Sequence, residues 1–265
     1  MSKIKLIATD MDGTFLNSQN SYDFESFEEV HKLIDANDIK FVVASGNQYF
    51  QLRSFFEKYP ETIYVSENGA LIMFNGTEYW SSSFTPINYM KVVDIASQIP
   101  NLQLVACGKK SAYVLDTISD ELFKDINKYY FRLKKVTSFK DVDDEILKFA
   151  SNCPNEVTDK LVIELMVSLD GIAIPVSSGH GSIDIIKPGV NKATGLKKLS
   201  ELLNISPEEM CAFGDGGNDI EMLEYVGDGV AMGNATDEVK SAASHVTNSN
   251  NQNGVVDYIR KMIIR

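Results

Sequence analysis

Ile4-Lys5-Leu6-Ile7-Ala8-Thr9-Asp10-Met11-Asp12-Gly13-Thr14 sets the reading of the whole chain. A short apolar run ends in two aspartates separated by one residue, followed by a glycine and a threonine. The run reads as a buried strand. The aspartates then fall where that strand ends, at the carboxyl edge of a sheet, which is where open α/β folds bind ligands. Two carboxylates close together repel and are costly to desolvate. A divalent cation offsets that cost most simply, because hard cations take carboxylate, carbonyl and water oxygens. Gly13 lets the backbone turn sharply after the pair. A calcium loop of the EF-hand type is excluded, since it needs its glycine at the sixth position and a glutamate at the twelfth.

Downstream, Phe24, Phe27, Val30, Leu33 and Ile34 recur at helical spacing within residues 22–36. Ile39-Lys40-Phe41-Val42-Val43-Ala44 is a second buried strand, ending in Ser45-Gly46-Asn47, with a helix over 48–58. Strand, helix, strand, helix implies a parallel sheet with right-handed crossovers. Ser45 therefore falls at the same edge as Asp10. A hydroxyl there either donates to a phosphoryl oxygen or caps the following helix. Residues 63–66 form a third strand and Glu67-Asn68-Gly69 a turn, and Asn75-Gly76 joins a hairpin over 70–81. Asn68 is accounted for by the turn.

From about Phe84 the pattern changes. Helices over 87–99, 120–134 and 155–168 alternate with strands over 102–107, 111–115, 146–150, 172–177 and 182–186. That alternation predicts an α+β insert with an antiparallel sheet. It carries no catalytic motif, so its expected role is to cover the site and select the substrate. Lys109, Lys110 and His180 lie in its turns, where solvated side chains are the common case.

The chain is expected to return to the first domain at Asp184, and a helix begins near Asn191 with Lys192 in its first turn. A lysine there opposes the helix dipole, which favours negative charge at that end. The position makes sense if the helix start faces a phosphate. Lys187 is the competing candidate. Met210-Cys211-Ala212-Phe213 is then a strand that ends in Gly214-Asp215-Gly216-Gly217-Asn218-Asp219, again crowding acids and amides at a strand end. Asp215 can offer an oxygen to a cation, Asn218 can donate to phosphate, and Asp219 suits a helix cap that orients its neighbours. Gly227 to Gly233 is not a dinucleotide fingerprint, because the glycine spacing is wrong.

The four clusters, in this order, resemble the haloacid dehalogenase (HAD) superfamily of phosphohydrolases. Asp10-x-Asp12-Gly13-Thr14 resembles its motif I, Ser45 its motif II, Lys192 its motif III and Gly214-Asp215-x-x-Asn218-Asp219 its motif IV. The insert between motifs II and III resembles that of the Cof-type branch, with a class IIB cap. The likeness covers the whole chain and is weakest in the cap. It implies an α/β fold, with a Rossmann-like parallel-sheet core from residues 1–84 and 184–265 and an α+β cap from 85–183. It implies that Asp10 attacks phosphorus, that Asp12 is the general acid and then the general base, and that Ser45, Gly46, Lys192 and Asn218 hold the phosphate. Mg2+ would be held by Asp10, Asp215 and the Asp12 carbonyl, with Gly13 and Asp219 in support. Many relatives follow the motif II glycine with arginine; here Asn47 follows Gly46, and Asn47 and His180 are the candidate substrate contacts.

Composition narrows the partners. Thirty-seven acidic against 25 basic side chains give a net charge of −12, which argues against nucleic acid. A phosphate-handling site in so acidic a chain needs local positive charge, which draws attention to Lys192. Cys107, Cys153 and Cys211 show no metal spacing and suggest reduced thiols in a cytoplasm. No signal peptide or membrane-length apolar run is evident. The expected activity is a Mg2+-dependent phosphatase for small phosphorylated metabolites such as sugar phosphates, a monomer or weak homo-oligomer. The alternatives are a phosphosugar mutase or phosphotransferase, a non-catalytic phosphosugar-binding regulator, and a plain metal-binding structural domain, which would leave Ser45 and Lys192 unexplained.

Overall fold

The computed structural model describes residues 3–100, 102–153, 155–179 and 181–264. β1 (Leu6–Thr9) is followed by α1 (Phe24–Ala36), β2 (Lys40–Ala44), α2 (Tyr49–Phe55) and β3 (Ile63–Ser66). A single turn of 3-10 helix, Glu67–Gly69, leads into the hairpin of β4 (Leu71–Phe74) and β5 (Thr77–Ser81). Then come α3 (Pro86–Ala96), β6 (Gln103–Gly108), β7 (Ala112–Leu115), α4 (Asp120–Ile126), β8 (Leu133–Val136), β9 (Ile146–Asn152), α5 (Thr158–Ser168), β10 (Ile174–Gly179) and β11 (Ser182–Ile186). The chain closes with α6 (Lys192–Leu203), β12 (Met210–Gly214), α7 (Ile220–Tyr225), β13 (Asp228–Ala231), α8 (Asp237–Ala242), β14 (His245–Val246) and α9 (Gly254–Ile264).

The strands make two sheets, ordered β14-β13-β12-β1-β2-β3-β4-β5 and β10-β11-β9-β6-β7-β8. In the first, the strands from β14 to β3 pair parallel, and β4 and β5 add an antiparallel edge. β1 lies between strands from opposite ends of the sequence. The strand order reverses there, which opens a crevice at the carboxyl ends of β1 and β12. The first sheet buries both faces, which is why its strands read as continuous apolar runs. Ile7, Phe41, Val43 and Phe213 face the layer containing α1 and α9. Leu6, Ala8, Val42 and Ala212 face the layer containing α6 and α7. The fold is α/β with a parallel core, as expected.

Three details depart from the sequence reading. The helix expected over 120–134 stops at Ile126, and Leu133–Val136 is instead an edge strand paired parallel with β7. Ile126, Tyr130 and Leu133 fit helical spacing, but backbone pairing at the sheet edge decides the outcome, and exposed Lys134 and Lys135 suit an edge. The insert sheet is antiparallel apart from that pair. Residues 184–186, expected in the first domain, belong to β11, which is paired to β9 and β10 in the second sheet. A run that alternates apolar with polar residues does not declare which sheet it joins.

Phe27 anchors the first layer. It is fully buried, with ring centroids at 5.0 Å from Phe15, 5.2 Å from Phe41, 5.9 Å from Phe56 and 5.1 Å from Tyr59. Phe27→Ala is expected to cost about 3–5 kcal/mol, the range for a large side chain lost from a packed core. Urea unfolding monitored by circular dichroism checks this, and a loss under about 1 kcal/mol would show that the cluster collapses around the gap.

Candidate active site

Asp10 follows β1, Ser45 follows β2 and Asp215 follows β12, so in-register parallel pairing brings the three to one edge. Lys192 arrives from α6. Asn191 caps that helix by accepting from Thr194 N at 2.9 Å, which sets the lysine in the first turn. The Lys192 side chain is 1% exposed. Its Nζ donates to Asp10 Oδ1 and to Asp219 Oδ1, both at 2.6 Å. These two carboxylates explain a lysine where the helix dipole disfavours one.

Burial works to lower the Lys192 pKa, but Asp10 and Asp219 outweigh it and hold the ammonium above its ordinary range. Burial pushes the Asp10 carboxyl well up, Lys192 pulls it down, and Asp219 and Asp215 push it further up. Asp219 uses its second oxygen to accept from Asp215 N at 3.0 Å and Gly216 N at 2.9 Å. Asp215 accepts from Thr14 Oγ1 at 2.6 Å and from Asn234 Nδ2 at 3.3 Å. Burial raises its carboxyl to about 6 even against the Thr14 hydrogen bond. Gly13 sits at φ +76°, where a Cβ would run into the Asp215 carboxylate.

Asp10, Asp215 and Asp219 offer carboxylate oxygens that lie within 4.8 Å of one another. One lysine balances these three acids only in part, and such an oxygen-rich, under-compensated donor set fits a hard divalent cation. The Asp12 side chain stands apart from this cluster. It is exposed, and Asn47 Nδ2 donates to its Oδ2 at 2.6 Å. Ser45 is buried and accepts from Asn47 N at 3.1 Å, which leaves its hydroxyl hydrogen to donate.

Asn68 does more than make a turn. Glu67, Asn68 and Gly69 all have positive φ, at 53°, 56° and 90°. The Asn68 backbone N–H donates to Ser45 O at 3.1 Å. Its side-chain Nδ2 donates to Asp184 Oδ2 at 2.5 Å, and its Oδ1 accepts from Asn218 Nδ2 at 3.4 Å. A Cβ on Gly69 would collide with the carbonyl of Asn191, so the turn is pressed against the residue that caps the Lys192 helix. A second contact from the insert closes over the motif II loop. The Gln48 amide exchanges hydrogen bonds with the Arg132 backbone at 3.0 and 2.9 Å, and the Arg132 guanidinium lies 3.6 Å over the Phe50 ring.

Other candidates lie elsewhere. Lys187 donates to Ser82 Oγ at 2.9 Å and does not join the acidic cluster. Lys109 bridges Glu78 and Glu145, and Lys110 donates to the Asp143 carbonyl. His180 lies outside the described residues. Thr14, Asn234 and Asp184 join the site with no role assigned to them from sequence. Thr14 lies within motif I, Asn234 follows a strand end, and Asp184 interrupts an apolar run, which is itself a signal.

A family model of haloacid dehalogenase-like hydrolase matches residues 7–259. The chain belongs to the HAD-like hydrolases. It is 41% identical over 98% of its length to 5-amino-6-(5-phospho-D-ribitylamino)uracil phosphatase YbjI of Escherichia coli K12, covering 96% of that protein. The crystal structure of SMU.1108c from Streptococcus mutans UA159 superposes with a TM-score of 0.92 at 33% identity, covering 99% of this chain and 100% of that one. The HAD subclass IIB sugar phosphatase BT4131 shares the fold, with a TM-score of 0.85 at 20% identity over 98% of this chain and 100% of that one. This HAD hydrolase is a phosphoric monoester hydrolase with an inserted cap sheet. Among the described residues, no helix is long and apolar enough to cross a membrane.

Glu67 yields a stability prediction. It is 2% exposed, and its Oε2 has no hydrogen-bond partner among the described residues. Burial raises its carboxyl from the ordinary 4.5 to about 7, Lys148 opposing and Asp184 assisting. A raised carboxyl favours the fold while protonated, and that contribution is lost as pH rises from 4.5 to about 7. At about 1.4 kcal/mol per unit the loss approaches about 3 kcal/mol. Glu67→Gln should therefore gain stability over the parent chain between about pH 5 and about pH 8 by that amount. Unfolding free energies at both pH values test this; an unchanged difference would mean that the carboxyl is solvated.

Proposed function

We propose that this HAD hydrolase is a magnesium-dependent phosphatase for small phosphate monoesters, acting through an aspartyl phosphate on Asp10. The observation that carries this reading is the placement of the Asp10 carboxylate at the carboxyl end of β1, fixed by Lys192, with Asp12 two residues beyond and outside the acidic cluster. Asp10 Oδ attacks phosphorus, and the ester P–O bond breaks. The Asp12 carboxyl gives its proton to the departing alkoxide. Asp12, now a carboxylate, takes a proton from water as that water attacks the same phosphorus and frees Asp10 and inorganic phosphate. Asn47 holds Asp12 Oδ2, leaving Oδ1 to carry the proton. Lys192, Ser45 and Asn218 would bind the equatorial phosphoryl oxygens.

Asp10, Asp215 and the Asp12 carbonyl would hold the magnesium ion, which offsets the charge between nucleophile and phosphate. Asp219 would orient the others, one oxygen accepting from Lys192 and the other from the backbone N–H groups of Asp215 and Gly216. We read residues 1–84 and the segment after β11 as the catalytic core and the intervening segment as the cap, the boundary moved past Ile186 by the pairing of β11. The cap supports a small substrate rather than a phosphoprotein, because it places Arg132 and Asp184 against the site loops. The likeness to YbjI supports a phosphorylated sugar or ribityl compound, and a cytoplasmic setting suits the free cysteines.

The test is phosphate release from 5-amino-6-(5-phospho-D-ribitylamino)uracil, a panel of sugar phosphates and an aryl phosphate, with magnesium or with chelator. Release should require magnesium, and Asp10→Asn should lower kcat by more than about a thousandfold while the fold persists. Comparable release from Asp10→Asn would sink the nucleophile assignment, and chelator-resistant release would sink the metal assignment.

A further inference from the structure

Beside the turn at Glu67–Gly69 lies a buried ion pair to which the proposed catalytic steps assign no role. Lys148 on β9 and Asp184 on β11 are 3% and 5% exposed. Lys148 Nζ lies 2.9 Å from Asp184 Oδ1, and the other oxygen, Oδ2, accepts from Asn68 Nδ2. Burying such a pair costs desolvation and contributes little net stability, so its location matters more than its strength. Asp184 belongs to the second sheet, yet its Oδ2 would lie 3.3 Å from a Cβ at Gly46, with Asn68 Oδ1 at 3.0 Å from the same point. The pair therefore reaches across from the cap into the phosphate-binding edge.

A carboxylate can only accept, so Asp184 decides which way round the Asn68 amide lies. Its NH2 must face Asp184, and its oxygen must face away, towards Asn218. That oxygen in turn draws the NH2 of Asn218 to its side and takes one of its two N–H groups, which leaves the second for the phosphate role that the phosphatase reading gives Asn218. We propose that Asp184, held by Lys148, is a positioning residue for phosphate binding, setting the polarity of the amide chain Asn68–Asn218 from the cap. The proposal rests on the phosphatase reading for the role of Asn218, but its geometry concerns phosphate binding rather than turnover. It makes the phosphate edge complete only when the cap strand is in place.

Amide orientation responds to substitutions that a merely structural role would not distinguish. In Asp184→Asn, Lys148 takes the oxygen of the introduced amide, so its NH2 faces Asn68, and both downstream amides must invert. Inorganic phosphate affinity, measured by calorimetry with magnesium present, should fall about tenfold or more, the size of one hydrogen bond to a charged group. kcat/KM should fall in parallel. Adding Lys148→Met frees the introduced amide to turn its oxygen back to Asn68, so the Lys148→Met/Asp184→Asn chain should return to within about threefold of the parent, still on the scale of that one hydrogen bond. Lys148→Met/Asp184→Leu removes the same charges with similar volume but provides no acceptor, and should remain about tenfold weak. Equal phosphate affinity in the two double variants would overturn the proposal, as would parental affinity in Asp184→Asn. If Asp184→Asn fails to fold, the two neutral double variants decide. If the parent chain binds phosphate but releases none from any ester, the phosphatase reading fails, and the calorimetric pattern still judges the role of Asp184. A parent chain that binds no phosphate overturns both.

Discussion

The buried ammonium of Lys192, gripped by Asp10 and Asp219, is the constraint around which the site is built. Three acids gathered in a buried crevice would repel one another and favour protonation. One lysine lets two of them approach, and it can do so only because α6 begins where β1 and β12 end. That in turn depends on the Asn191 cap and on the close approach of Gly69 to the Asn191 carbonyl. The strand order, with β1 between β2 and β12, brings residues some two hundred positions apart into contact. Remove the sheet topology and neither half of the chain contains a site.

The same economy governs the surroundings. Asp219 serves Lys192 with one oxygen and the loop after β12 with the other. Asn47 steadies Asp12, while the adjacent Gln48 fastens the cap through the Arg132 backbone. The loop after β2 is thus joined to the acidic residue below it and to the insert above it. The turn at Glu67–Gly69 does the corresponding work on the other side, touching Ser45, Asn218, Asn191 and Asp184. Its left-handed conformation is ordinary for Gly69 and tolerated by Asn68 but strained for Glu67, and such strain persists where surrounding contacts hold it in place.

Most of the site's polar residues were legible because they follow buried strands in the linear sequence. Asp10, Ser45 and Asp215 each close an apolar run, and that arrangement puts them at one sheet edge without any knowledge of pairing. Lys192 was legible as an electrostatic misfit at a helix start. Asn68 was not, since a turn residue with positive φ already has a sufficient local explanation. Asp184 was hidden by its sheet: in sequence it leads towards the Lys192 helix, but its strand pairs with β9. The segment 120–134 was misread because apolar residues spaced by three and four satisfy a helix until an available sheet edge offers β8 a hydrogen-bonded alternative.

The order of residues along the chain settles the local chemistry: which strands are buried on both faces, which residues cap the helices, and which side chains end up at strand termini. These follow from nearest neighbours and from periodicity, which operate over a few residues. Long-range packing alone chose Lys192 over Lys187 as the partner of Asp10, turned Asp12 out of the acidic cluster, and brought a cap carboxylate to Asn68. Those choices depend on strand pairing and sheet twist across the whole chain. The energies that settle them come from desolvation and charge pairing, and these exist only once distant residues share a buried volume.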